Sequence, residues 1–108
     1  YDNNEMKIEY EMKGGLKNGY DKKWRFSGKM EYSKNLVDGK KHGTQEEWHT
    51  NGIKKTEENY KYGQKDGYFA KWAWNGNKTY ECNYVKDKKI GQETHYFESG
   101  KIKSRTTY

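Results

Sequence analysis

The sequence predicts an all-β chain: tandem antiparallel β-hairpins with a 24-residue period, laid side by side as an elongated, right-handedly twisted single sheet. Three observations predict it. Glycines recur at a fixed spacing, aromatic residues recur in step with them, and apolar and polar side chains alternate with period two.

Gly19, Gly43, Gly67 and Gly91 are spaced by 24, as are Gly28, Gly52, Gly76 and Gly100. Gly15, Gly39 and Gly63 form a third series, with Asp87 in its fourth slot. Trp24, Trp48, Trp72 and Tyr96 form another, and Met12, Leu36, Tyr60, Tyr84 and Tyr108 a fifth. No insertion or deletion interrupts them, so residues 1–108 read as one repeat domain. It divides into a partial unit 1–18, units 19–42, 43–66 and 67–90, and a partial unit 91–108.

Within a unit the elements follow in a set order. In the second unit a strand runs from Thr44 to His49, and Asn51-Gly52 makes a tight turn. A return strand follows from Ile53 to Lys61, and a looser connector, Gly63 to Gly67, leads onward. Ser27-Gly28, Asn75-Gly76 and Ser99-Gly100 occupy the same tight turn elsewhere. About nine strands result. Met6 to Met12 look like the return strand of a preceding unit, and the end at Tyr108, in mid-register, suggests further repeats or self-association through open sheet ends.

Of 18 aromatic residues, 15 carry even numbers, while odd positions carry mostly Lys, Glu, Asn and Arg. This parity predicts one ring-bearing face and one wet face. A two-residue turn would set the apolar residues of its strands on opposite faces. A three-residue loop, Thr50-Asn51-Gly52, pairs residue 49 with 53 and keeps them together, so the expectation is a type I turn with glycine at a G1 bulge in place of type I′ turns.

Composition narrows the function classes. Only 30% of residues are hydrophobic, so no thick aliphatic core is available, but 17% are aromatic. No stretch approaches the ~20 apolar residues of a membrane-spanning helix. Twenty-two basic against 16 acidic residues leave a net charge of +6, with the signs interspersed. One cysteine, Cys82, excludes an internal disulfide framework. His42, His49 and His95 lack metal-ligand spacing, and no triad, phosphate-cradling loop or nucleotide motif is present. The expectation is a protein that is not an enzyme and needs no cofactor or metal. The first residue, Tyr1, implies processing or trimming, which favours export to the cell surface.

The pattern Gly43, Trp48, Asn51-Gly52, Tyr60, Gly63, Gly67 resembles the MORN repeat in its bacterial variant form, and does so from about residue 15 to 108. Leu36, Asp87 and Tyr96 depart from the usual residue types. The resemblance implies scaffolding, protein–protein contact or membrane-lipid association. The bacterial form includes YwqK-type proteins proposed as antitoxins, a role that would place the chain in the cytoplasm, and it also occurs in exported proteins. The expected partner is therefore a protein, a toxin or a surface protein. The alternative is a basic sheet that associates with anionic membrane or nucleic acid.

The residues expected to hold a protein partner are aromatic. Trp74 adds a second indole beside Trp72 on the ring face, with Trp48 and Trp24 along the same ladder. Phe69 and Phe97 are odd-numbered and should project from the wet face. For a polyanion, the candidate patch is Lys86, Lys88, Lys89, Lys101, Lys103 and Arg105.

Overall fold

The computed structural model describes residues 7–108, so Met6 and the residues before it lie outside the description that follows. The chain forms β1 (Lys7–Lys13), β2 (Leu16–Trp24), β3 (Met30–Val37), β4 (Lys40–Lys41), β5 (Gly43–Trp48) and β6 (Lys54–Lys61). It continues with β7 (Gln64–Lys65), β8 (Gly67–Trp72), β9 (Lys78–Val85), β10 (Lys88–Tyr96) and β11 (Ile102–Thr107). All belong to one open antiparallel sheet in hairpin order, β1-β2-β3-β5-β6-β8-β9-β10-β11. The short β4 and β7 pair only with β3 and β6, and are the first halves of the strands that continue as β5 and β8. The all-β tandem-hairpin architecture is as the sequence predicts.

The tight turns have the expected form. His49 N donates to Ile53 O at 2.8 Å, Gly52 N donates to His49 O at 2.9 Å, and Gly52 sits at φ +88°. That is a three-residue loop with glycine in the left-handed bulge position. Arg25–Lys29, Ala73–Asn77 and Phe97–Lys101 close the same way.

The connectors differ from expectation. They are not loose but are two-residue type I′ turns, closed by the pairs Lys13↔Leu16, Val37↔Lys40, Lys61↔Gln64 and Val85↔Lys88. Both central residues take positive φ, as this turn requires: Tyr62 (+48°) with Gly63 (+85°), and Lys86 (+47°) with Asp87 (+67°). The second turn shows that aspartate can stand in for the connector glycine.

The single ring-bearing face is also corrected. One step beyond each tight turn the register slips, from Trp48↔Lys54 to Glu47↔Thr56, and Lys55 is the extra residue. Glu31, Thr79 and Lys103 are extra in the other units. Directly opposed residues share a face, so Tyr80 lies with Lys71 and His95 while the even-numbered Trp72 and Tyr96 lie on the other side. A one-residue bulge exchanges the faces of every residue that follows in the strand. The two-residue connector exchanges them again. Rings of the leading strands (Trp24, Trp48, Trp72, Tyr96) therefore make a tryptophan face, and those of the return strands (Tyr32, Tyr60, Tyr80, Tyr84) a tyrosine face.

Among the described residues no second layer covers either face: the Cα envelope measures 44 × 32 × 10 Å. The buried apolar residues among them are Phe69, Ala70 and Cys82, joined by Asp21, Gln45, Glu93 and Thr94. Lysine stems supply much of the remaining cover. Lys65 Nζ stands 5.0 Å from the Tyr84 ring centre, Lys34 Nζ 4.5 Å from Tyr32, and both Lys54 and Lys78 stand over Trp72. Rings and ammonium groups thus share both faces, contrary to the expected division into ring and wet sides.

Candidate interaction surfaces

Every tight turn leads from a leading strand to its return strand, so all four fall on one rim of the sheet. Neighbouring units on that rim are two strand spacings apart, roughly 10 Å. Side chains of one turn bond to the backbone of the next. Arg25 Nη2 donates to Trp48 O at 2.9 Å, His49 Nε2 to Trp72 O at 2.8 Å, Asn51 Nδ2 to Trp74 O at 2.9 Å, and Asn75 Nδ2 to Glu98 O at 3.0 Å. These bonds set the pitch of the rim. Along it Phe26, Ile53, Trp74, Phe97 and Ile102 are all exposed.

The residues expected to hold a partner separate on this geometry. Trp74, 52% exposed, is not beside Trp72 on the sheet; it belongs to the turn, because β8 ends at Trp72. Its indole lies near-parallel to the His49 imidazole, 5.9 Å between centres. Phe97 is 51% exposed, as expected, with Lys103 Nζ 5.8 Å from its ring centre. Trp24, Trp48 and Trp72 are half-buried in the tryptophan face. Phe69 overturns its expectation. It is 6% exposed, packed between Tyr60 (5.5 Å) and Tyr84 (4.7 Å), because the bulge brings the return-strand tyrosines to its side.

The basic patch is not one patch. Lys86 lies in the β9–β10 connector and Lys88 opens β10, whereas Lys101 occupies the tight turn at the opposite end of β10, a strand about 30 Å long. Lys89 is engaged with Glu93 at 2.5 Å. Arg105 and Lys103 remain on β11, where Arg105 shares the tryptophan face with Thr94.

Acid-centred clusters organise both faces, and sequence reasoning missed them. On the tyrosine face the buried Glu93 receives the Lys89 ammonium, the Tyr80 hydroxyl at 2.6 Å and the Tyr108 hydroxyl at 3.1 Å. Lys89, then Tyr80, hold its carboxyl down to about 2. Burial, with Cys82 and Glu93 alongside, pushes the Tyr80 phenol up. Asp21, in the same slot three units earlier, bonds Lys17 at 3.0 Å and the Tyr32 hydroxyl at 3.4 Å. Between them Gln45 repairs a break in the ladder: its side chain accepts from Asn35 N at 3.0 Å and donates to Asn35 O at 2.7 Å. On the tryptophan face Glu81 accepts from the Tyr96 hydroxyl, from Tyr68 at 3.1 Å and from Lys78 at 3.4 Å, and its carboxyl is held below the usual range, chiefly by Tyr96. The signal that could have found these clusters is the slot series Asp21, Gln45, Phe69, Glu93, polar in three units of four.

Beside Glu81 the tryptophan face holds a hollow of about 340 Å³, reaching Gln92, Thr94, Tyr96 and Arg105. Glu81 is held ionised, and its hydrogen bond holds the Tyr96 phenol protonated by raising its pKa. Among the described residues no group of three or more His, Cys, Asp or Glu side chains could hold a metal ion. No protein-family model and no curated protein matches the chain.

Proposed function

We propose that this chain is a non-catalytic protein-binding module that docks its partner along the tight-turn rim. The observation that carries this reading is the exposure of Phe26, Ile53, Trp74, Phe97 and Ile102 along one rim, whose turns are tied to one another by side-chain bonds. Pre-positioned aromatic anchors reduce the ordering cost of association and are where binding energy concentrates. The chain's net charge of +6 favours an acidic partner. Likeness to the bacterial MORN variant supports a toxin or a surface protein as that partner. The raised and lowered proton affinities around Glu81 and Glu93 support binding over acid–base catalysis.

The test is capture of the partner by wild type and by Trp74→Ala. Loss of a central tryptophan anchor should weaken binding by about 2 kcal/mol, or roughly 30-fold. Unchanged capture by Trp74→Ala and by Phe97→Ala removes the rim from consideration. The alternative, association with anionic membrane or nucleic acid, is weakened by the division of the basic residues between the two rims. Ionic strength separates the two: polyanion binding should fall steeply between 50 and 200 mM salt, by about 10³-fold or more.

A further inference from the structure

The repeat allows one slot on the tryptophan face to be compared between units: Tyr20, Thr44, Tyr68 and Gln92. In the third unit Tyr68 bridges β8 and β9: its hydroxyl donates to Glu81 at 3.1 Å and accepts from Lys78 at 2.6 Å. Twenty-four residues later Gln92 replaces that tyrosine, Ile102 replaces Lys78 and Arg105 replaces Glu81. The register of β9 and β10 is interrupted between Ile90 and Thr94. Beside Gln92 a hollow of about 340 Å³ opens, its wall including Glu81, Asn83, Thr94, Tyr96 and Arg105.

Its polar groups are arranged unequally. The Glu81 carboxylate is occupied by Tyr96, Tyr68 and Lys78. Arg105 is oriented by its Nε, which donates to Thr94 Oγ1 at 3.2 Å, and its terminal nitrogens have no carboxylate partner among the described residues. Asn35 and Asn59 each donate to a leading-strand carbonyl at 2.7 Å, Thr44 O and Tyr68 O. Asn83, next in that series, makes no such bridge and lines the hollow instead.

We propose that the hollow binds a small monocarboxylate, its carboxylate on the Arg105 guanidinium and an adjoining amide or hydroxyl on Asn83 and Gln92. A guanidinium fork matches a planar carboxylate with two parallel hydrogen bonds. Glu81 on the same wall opposes a second negative charge, which disfavours phosphate. The volume suits a small ligand, at the lower end of the ~300–1,000 Å³ usual for such sites.

The test is a ¹⁵N NMR titration of the folded chain with N-acetylglycine, its uncharged analogue N-acetylglycinamide, and inorganic phosphate. Saturable shifts centred on Asn83, Gln92, Thr94 and Arg105 are expected with N-acetylglycine. Binding should weaken about tenfold or more for the amide and for Arg105→Gln. Gln92→Tyr, which installs the residue of the preceding unit, should abolish the response while the rest of the spectrum stays in place. A linear, non-saturating response, equal binding of phosphate, or a response that survives Arg105→Gln overturns the proposal. If Gln92→Tyr does not fold, the amide control and Arg105→Gln decide it.

Discussion

Glu93 shows how much a thin sheet depends on single polar residues. The residue is 7% exposed, and its carboxylate gathers one ammonium and two hydroxyls. With its pKa held at about 2 against an ordinary 4.5, the unfolded chain takes up this proton more readily than the folded one. The resulting stability is complete above 4.5 and is lost as pH falls toward 2. Glu93→Gln should therefore be less stable than wild type at neutral pH by about 1.5 kcal/mol or more. In urea unfolding at a series of pH values the gap between the two proteins should close across that acid window. A gap independent of pH would mean that the charge is not what matters. Phe69 teaches the converse lesson. Its odd number placed it on a wet face, but the slot it shares with Asp21, Gln45 and Glu93 is buried in every unit.

Turns are the elements that the sequence announces most clearly, and glycine is the reason. Gly52 lies at φ +88°, and a Cβ there would meet only the Lys29 side chain, at an ordinary contact distance of 3.7 Å or more. Gly52→Ala should accordingly cost about 1–2 kcal/mol from backbone conformation alone. Equilibrium denaturation measures it, and a cost near zero would show that the loop can adopt another turn. The tight turns, their length and the hairpin order were all legible from Asn-Gly and Ser-Gly at fixed spacing. The connector geometry was signalled by Gly14-Gly15 and Asp38-Gly39 but not at the later connectors, where Tyr62 and Lys86 adopt positive φ without the residue type that usually announces it. The bulge was not legible: Glu31, Lys55, Thr79 and Lys103 share no chemical character. Parity counted along the chain therefore assigned both ring sets to one face.

At the scale of the whole molecule, the units of the described residues pair in hairpin order, and no second layer among those residues enforces cooperation across the sheet. The best-buried apolar residues, Phe69, Ala70 and Cys82, lie in β8 and β9. Amide hydrogen exchange should be slowest there and fastest in β1 and β11, where most side chains are exposed. Uniform protection along the chain would contradict this gradient. The hollow beside Arg105 escaped sequence reading because Gln92, Thr94 and Arg105 meet there through strand pairing, and their spacing along the chain forms no motif.

The paired face exchanges, one at the bulge and one at the two-residue connector, cancel within every 24 residues. Each unit thus hands the chain on in the orientation in which it received it, like a tile whose opposite borders match. Copy number becomes a free variable. Duplicating or excising a whole tile lengthens or shortens the ribbon by roughly 10 Å, whereas losing a single residue turns all later side chains in that strand inside out.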